Sequence, residues 1–298
     1  MTEVPDPALA PEMVIPARER DLGGFHVGRV LPHPKRHMVG PFIFFDHLGP
    51  LQLAAPVPRK ADVRPHPHIG LSTITYLFAG ELTHRDSLGV EQVIRPGEIN
   101  WMTAGRGISH SERFDGMRDS GGAVHGLQAW VALPEAHEED APKFEHYGRD
   151  EIPSIELAAG QGRLIAGTAF GKTSTVRTHS PLFYLHLELP SGARVEVPGG
   201  YAERAAYVVS GAVEWGGQTY GPKTMLVFPV SAQPVLTAPV ASTVMLLGGE
   251  PVGPRHIWWN FVSSRRERIE QAKADWTSGR IPLPTADAQE WIPLPEGL

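Results

Sequence analysis

Two short segments decide the fold, Arg64-Pro-His66-Pro-His68-Ile-Gly70 and Trp101-Met-Thr-Ala-Gly105-Arg-Gly107-Ile-Ser-His110-Ser-Glu112. Side chains alternate between the two faces of a β-strand, so His66 and His68 share a face if the first segment is a strand. The same alternation places His110 and Glu112 on one face of a second strand. If the two strands face each other in a small barrel, three imidazoles and one carboxylate converge. This set suits a redox-active divalent metal ion with positions left for substrate.

The composition is that of a soluble globular protein, with 41% hydrophobic and 20% charged residues. A chain of 298 residues is long enough for two domains of ordinary size. The formal net charge of -6 argues against direct binding to a nucleic-acid backbone. No apolar run approaches a membrane span, and the first twelve residues lack the apolar core of a secretory signal. We therefore expect a cytoplasmic protein.

The chain contains no cysteine, which excludes disulfides, zinc–thiolate sites and cysteine nucleophiles. Any metal site must therefore use nitrogen and oxygen ligands. The 32 glycines and 29 prolines are typical of many short strands joined by turns.

Short β-type runs separated by such turns follow one another along most of the chain. In the first half they predict strands at 14–15, 25–30, 39–47, 71–78, 81–86, 91–94, 99–103 and 124–133. In the second half they predict strands at 163–165, 182–189, 205–215, 224–229 and 242–247. We expect a loose tail up to Met13 and a loop over 51–63.

One helix is predicted near the C terminus. Ser264 and Glu267 have the spacing of a capping box, and apolar residues follow at helical intervals. Gly279 is expected to end this helix, and residues 281–298 form a proline-rich tail.

These motifs resemble the pirin family of the cupin superfamily. Val39-Gly-Pro-Phe42 and Ile257-Trp-Trp-Asn-Phe261 also look like pirin, so the resemblance covers nearly the whole chain. It implies an all-β fold of two cupin-type β-barrel (jelly-roll) domains with a C-terminal helix. On this basis we predict an N-terminal metal-binding domain (1–134), a linker (135–150), and a C-terminal cupin-like domain without metal that includes the helix and tail (151–298).

Carried over position by position, the resemblance implies that one metal ion is bound by His66, His68, His110 and Glu112. Many other cupins place a metal-binding glutamate four or five residues after the HxH pair. Those positions are Ser72 and Thr73 here, so Glu112 supplies the carboxylate. Fe(II) is the expected ion, with Mn, Co, Ni or Cu as alternatives. Each ligating imidazole should donate its other N–H to a carbonyl or a carboxylate.

The remaining histidines and aromatic residues have plainer interpretations. The second barrel lacks an HxH motif at the corresponding loop, 199–204, and we expect it to be free of metal. Ordinary surface or core roles are expected for His33, His37, His47, His84 and His125. Core packing is favoured over substrate contact for Phe44, Phe45, Trp101 and Met102.

Pirin relatives are associated with quercetin 2,3-dioxygenase activity, so the resemblance implies a metal-dependent dioxygenase that opens a flavonol ring with O2. The substrate would bind the metal through its deprotonated hydroxyl, and Glu112 would accept the proton as general base. The alternative is an iron redox-sensing regulator that binds a transcription factor or a metabolic enzyme. The expected partners are a small aromatic, flavonol-like substrate and O2, with a protein partner under the alternative, and neither nucleic acid nor membrane.

Overall fold

The computed structural model describes residues 10–296 of the chain. The strands are β1 (Met13–Pro16), β2 (Arg18–Asp21), β3 (His26–Leu31), β4 (Phe42–Leu53), β5 (Val63–His68), β6 (Leu71–Ala79), β7 (Leu82–Asp86), β8 (Glu91–Ile94), β9 (Ile99–Thr103), β10 (Ile108–Arg113), β11 (Gly122–Ala132), β12 (Lys143–Tyr147), β13 (Ser154–Glu156), β14 (Gln161–Ala169), β15 (Lys172–Thr173), β16 (Leu182–Leu189), β17 (Arg194–Glu196), β18 (Glu203–Ser210), β19 (Val213–Trp215), β20 (Gln218–Tyr220), β21 (Thr224–Phe228), β22 (Val235–Thr237), β23 (Ser242–Gly249), β24 (His256–Trp258) and β25 (Phe261–Ser263). The helix α1 is Arg266–Thr277.

Most of the predicted strands are present, and residues 10–296 are predominantly β with one α-helix near the C terminus, as expected. The predicted loop over 51–63 is partly wrong, because β4 continues to Leu53. The loose N-terminal tail is also shorter than expected, since Met13 already belongs to β1. Residues 1–9 of that predicted tail lie outside the described residues.

The first of two compact units, here called the central unit, consists of Glu19–Val27, Phe44–Arg149 and the residues from Val252 onward. It contains a four-stranded sheet of order β5-β10-β7-β8. A seven-stranded sheet, β12-β9-β6-β11-β4-β3-β2, provides the larger layer. Strand β5 lies at the edge of its sheet, and this position tolerates Pro65 and Pro67 because an edge strand need not donate every backbone hydrogen bond.

The other unit consists of Asp150–Pro251 and Gly28–Ile43, together with the N-terminal residues as far as Arg18. Its sheets have the orders β1-β21-β18-β23-β16-β14-β13, with β15 beside β14, and β17-β22-β19-β20. Leu185 and Leu187 of β16 belong to the buried apolar core. His186 and Glu188 alternate with them and therefore face away from this core.

The division into units differs from the predicted domain boundaries. Residues 135–150 were predicted as a linker, but they contain β12, which pairs along its length with β9. The helix α1 belongs to the central unit, because its buried residues share an apolar cluster with Ile69 and Phe261. Packing of the apolar face of the helix, rather than position along the chain, decides which unit α1 joins.

The predicted capping box at the start of α1 is wrong. The N-cap is Arg265, and no side chain caps the helix. Ser264 instead bonds to Glu138, through its backbone N–H to Oε1 at 2.8 Å and its hydroxyl to Oε2 at 3.0 Å. Both donor groups of Ser264 thus bond to the buried carboxylate of Glu138 rather than taking part in the first turn of the helix.

Glu138 anchors this region, and its removal should destabilise the protein. The side chains of Glu138 and Arg255 are 3% and 2% exposed, and Oε1 lies 2.9 Å from Nε of Arg255. Glu138→Ala leaves a buried guanidinium without its counter-charge, so we expect the free energy of unfolding to fall by about 3–5 kcal/mol. Urea denaturation measures the change. The exposed Glu135→Ala serves as control and should stay within about 0.5 kcal/mol of wild type; equal losses in both variants would contradict the assignment.

Candidate metal centre

Three histidines converge inside the central unit. The ligand atoms of His66, His68 and His110 all lie within 4.8 Å of one another, and all three residues are buried. Strands β5 and β10 are antiparallel neighbours, with His110 directly opposite His66. His68 follows two residues later on the same face of β5. We call these three residues the histidine cluster.

Backbone carbonyls orient two of the three rings. Nδ1 of His66 lies 2.9 Å from the carbonyl oxygen of Arg64, and Nδ1 of His68 lies 3.2 Å from that of Asn260. A carbonyl only accepts hydrogen bonds, so Nδ1 carries the hydrogen in both rings and Nε2 keeps its lone pair.

The Nε2 atoms are set up as ligands. Nε2 of His68 and Nε2 of His110 are buried, and neither has a hydrogen-bond partner in the part of the chain that the structure describes. A buried nitrogen without a partner is costly and calls for an explanation. Unpaired imidazole nitrogens around one point are the donors of a metal site, so the histidine cluster could hold a metal ion.

Glu112 lies on the same strand but outside this group of atoms. A bulge interrupts the pairing of β10 with β5 between His110 and Glu112, and a bulge re-aims the side chains that follow it. Oε1 of Glu112 lies 3.3 Å from the hydroxyl of Thr75, and that hydroxyl lies 2.8 Å from Oε1 of Gln128. The carboxylate would therefore have to rotate to join the three nitrogens.

Burial controls the charge of these groups. It lowers the pKa of His66 to about 4, an effect that the bond to the Arg64 carbonyl opposes. It lowers the pKa values of His68 and His110 well below 6.5, and neighbouring histidines lower them further. Burial raises the pKa of Glu112 to about 7, against the bond from Thr75. Neutral imidazoles are the form that binds metal ions, so the cluster needs no proton loss at neutral pH.

The chain after α1 packs against the opposite face of β10. Asp287 accepts hydrogen bonds at 2.7 Å from the hydroxyl of Ser111 and from Nε of Arg113. These two residues alternate along the strand with His110 and Glu112, so one face of β10 carries the site and the other holds the C-terminal segment. Residues 281–296 of the predicted proline-rich tail thus pack as part of the central unit.

Two neighbours of the cluster were not foreseen from the sequence as contributors to the site. The ring of Trp130 meets His68 edge-on with centroids 5.0 Å apart, and Phe44 stacks on Trp130 at 3.9 Å. His84, expected to be an ordinary residue, has its Nδ1 3.2 Å from Nδ1 of His110. Strand register brings these rings together, and spacing along the chain carries no signal of it.

Comparison with known proteins identifies the family. The Pirin family matches residues 24–131, and the Pirin C-terminal cupin domain matches residues 184–282. A pirin-like protein of Caulobacter vibrioides is 57% identical over 286 residues, which cover 96% of this chain and 99% of that protein. The chain belongs to the pirin family. Its fold is accordingly the two-domain cupin type, and the predicted fold class is confirmed.

Other members of this family have names that refer to an activity. A Pseudomonas aeruginosa protein named "Putative quercetin 2,3-dioxygenase" is 35% identical to this pirin-family chain over 280 residues, 93% of this chain and 87% of that protein. The crystal structure of quercetin 2,3-dioxygenase from Acinetobacter baumannii matches with a TM-score of 0.87 and 31% identity, covering 96% of each chain. Within residues 10–296, no helix has the length and apolar character needed to cross a membrane.

The raised pKa of Glu112 predicts how the stability of the metal-free protein depends on pH. The folded-state pKa of about 7 exceeds the ordinary glutamate value of 4.5, so the folded state favours the protonated carboxyl. The resulting contribution to the free energy of unfolding is fully present below pH 4.5 and is lost as the pH rises to 7. Relative to Glu112→Gln, which cannot ionise, the wild type should lose about 2 kcal/mol of unfolding free energy between pH 5 and pH 8. Because the Glu112 side chain is partly exposed, this loss of unfolding free energy should be smaller than the full pKa difference implies. Urea denaturation of both proteins after chelator treatment measures the difference, and parallel pH profiles would contradict it.

Proposed function

We propose that this pirin-family protein is a metal-dependent dioxygenase of the quercetin 2,3-dioxygenase type, which opens a flavonol ring with O2. The proposal depends above all on the histidine cluster, in which one ring nitrogen from each of three buried histidines lies within 4.8 Å of the others. Nε2 of His68 and Nε2 of His110 are buried and have no partner among the described residues. The names of the Pseudomonas and Acinetobacter proteins support the class of reaction.

The cluster would hold the ion through the Nε2 atoms of His66, His68 and His110. Glu112 would become the fourth ligand after rotating its side chain away from Thr75. This set of nitrogen and oxygen donors suits Fe(II), and Mn, Co, Ni and Cu are the alternatives. When bound, the ion supplies Lewis acidity to the substrate hydroxyl and leaves positions open for substrate.

Substrate would reach the cluster past Glu112 and Gln128. Both side chains are partly exposed, whereas the three histidines are at most 7% exposed. Oε1 of Gln128 faces the Thr75 hydroxyl, which leaves the amide nitrogen to donate to a substrate oxygen. On another side of the cluster, the buried stack of Phe44 and Trp130 excludes water.

Glu112 would act as the catalytic base. Its carboxylate is partly exposed, and once it has turned from Thr75 toward the ion, the oxygen that does not bind the ion could accept the proton of a substrate hydroxyl. The side chain thus combines two roles, as base for the hydroxyl and as ligand to the ion.

Removal of a cluster histidine should abolish metal binding and leave the fold intact. His66→Ala and His110→Ala each delete one of three converging nitrogens. Each substitution removes one hydrogen bond, to the Arg64 carbonyl or to His84, and neither residue forms an ion pair in the described part of the chain. After anaerobic reconstitution with Fe(II), elemental analysis should find about one equivalent in wild type and none in the variants. Far-UV circular dichroism checks the fold. Full metal retention in either variant would show that the site is assigned wrongly.

Turnover of quercetin tests the reaction itself. Each metal-reconstituted form is supplied with quercetin in air, and loss of flavonol absorbance is compared with O2 uptake. Glu112→Gln should lower turnover per bound metal by about 10²–10⁴-fold, the usual contribution of a general base. Glu135→Gln is the matched control at an exposed position and should keep wild-type turnover. Bound metal with no turnover in any wild-type form would contradict the dioxygenase and favour the regulatory alternative.

A further inference from the structure

The geometry points to Asp86 and His84 as positioning residues that set the tautomer of His110, so that its Nε2 lone pair faces the metal. This inference rests on the proposed metal site and extends it, because neither residue belongs to the group of converging ligand atoms. The two residues act through His110 alone.

His110 differs from the other two members of the cluster. The Nδ1 atoms of His66 and His68 face carbonyl oxygens, which can only accept. Nδ1 of His110 faces Nδ1 of His84 at 3.2 Å. Either of these two nitrogens can be donor or acceptor, so this contact by itself does not decide where the hydrogen of His110 lies.

Asp86 decides it. Nε2 of His84 lies 3.0 Å from Oδ2 of Asp86, and an ionised carboxylate only accepts. Nε2 of His84 therefore carries the hydrogen, and in a neutral imidazole Nδ1 is then the acceptor. Nδ1 of His110 must donate to it, which leaves Nε2 of His110 with its lone pair. This outcome agrees with the buried Nε2 of His110 that has no protein partner.

The surroundings hold both positioning residues in place. The side chain of Asp86 is fully buried, and Oδ1 accepts hydrogen bonds from the backbone N–H groups of Leu88 at 2.9 Å and Val90 at 3.2 Å. The ring of His84 stacks on Phe144 with centroids 4.3 Å apart. The ring of His84 cannot turn over without placing carbon atoms where Nδ1 and Nε2 now face His110 and Asp86.

The backbone contacts of Asp86 make Asp86→Asn a sharp test. The amide oxygen must stay with the N–H groups of Leu88 and Val90, because an amide nitrogen cannot accept from them. The amide nitrogen then points at Nε2 of His84, which must accept. Both hydrogen bonds, from residue 86 to His84 and from His84 to His110, are then reversed in direction. Nε2 of His110 therefore carries a hydrogen and has no lone pair for the metal ion. The substitution preserves size, so the fold should survive.

Ni(II) binding and histidine NMR together test the reversal. Asp86→Asn should bind Ni(II) about 10–100-fold more weakly than wild type in a competition titration with a chelator, as expected for loss of a residue that orients a metal ligand. In the metal-free proteins, long-range ¹H–¹⁵N correlation spectra should show His110 protonated at Nδ1 in wild type and at Nε2 in Asp86→Asn. The exposed Asp119→Asn loses the same charge and should change neither measurement.

Substitution of His84 separates the acceptor from general packing. In His84→Asn the side-chain oxygen can take the place of Nδ1 and accept from His110 without Asp86, so Ni(II) affinity should stay within about threefold of wild type, well short of the loss expected for a disturbed orienting residue. Adding Asp86→Asn to this variant should then have no further effect. His84→Leu, which offers no acceptor, should bind as weakly as Asp86→Asn.

The outcomes separate this inference from the proposed metal site. Wild-type Ni(II) affinity together with the wild-type tautomer in Asp86→Asn would overturn the positioning role. So would His84→Asn binding as weakly as His84→Leu. Failure of the wild-type protein to bind Ni(II) would instead count against the metal site on which the inference rests.

Discussion

Three buried imidazoles with inward lone pairs are the constraint around which the central unit is arranged. Burial lowers the pKa values of all three rings, so each ring stays neutral and keeps one nitrogen whose lone pair can bind a metal ion. Nε2 of His68 and Nε2 of His110 are buried and have no hydrogen-bond partner among residues 10–296. Burying these nitrogens without partners destabilises the metal-free protein. A metal ion that binds them removes this cost, so the arrangement favours metal binding.

Holding the rings in this orientation takes chain segments far apart in sequence. The carbonyl that orients His68 belongs to Asn260, and Asp287 binds the outer face of the strand that carries His110. The region around α1 therefore belongs physically to the site that lies almost two hundred residues earlier. This explains why the helix and the C-terminal segment fold with the central unit rather than with the residues that immediately precede them.

The two units fill a similar arrangement of sheets with different side chains. Both contain a larger sheet and a four-stranded sheet. In one unit the space between strands is filled by leucine, valine and aromatic side chains, and His186 of β16 faces away from that core. In the other, the inward positions of β5 and β10 are occupied by the histidine cluster. The chemistry depends on which side chains occupy the inward positions, whereas the shared architecture provides only the positions.

The sequence by itself determined the β-rich fold, the pirin family and the histidines of the candidate site. Alternation along a single strand decides which residues share a face, so the shared face of His66 and His68 can be read from the HxH motif itself. Only the tertiary structure decided that a bulge turns Glu112 toward Thr75, that the predicted linker contains β12, and that His84 and Asp86 stand behind His110. These features depend on register between strands and on packing between distant segments, and neither is encoded in the spacing of residues along one segment.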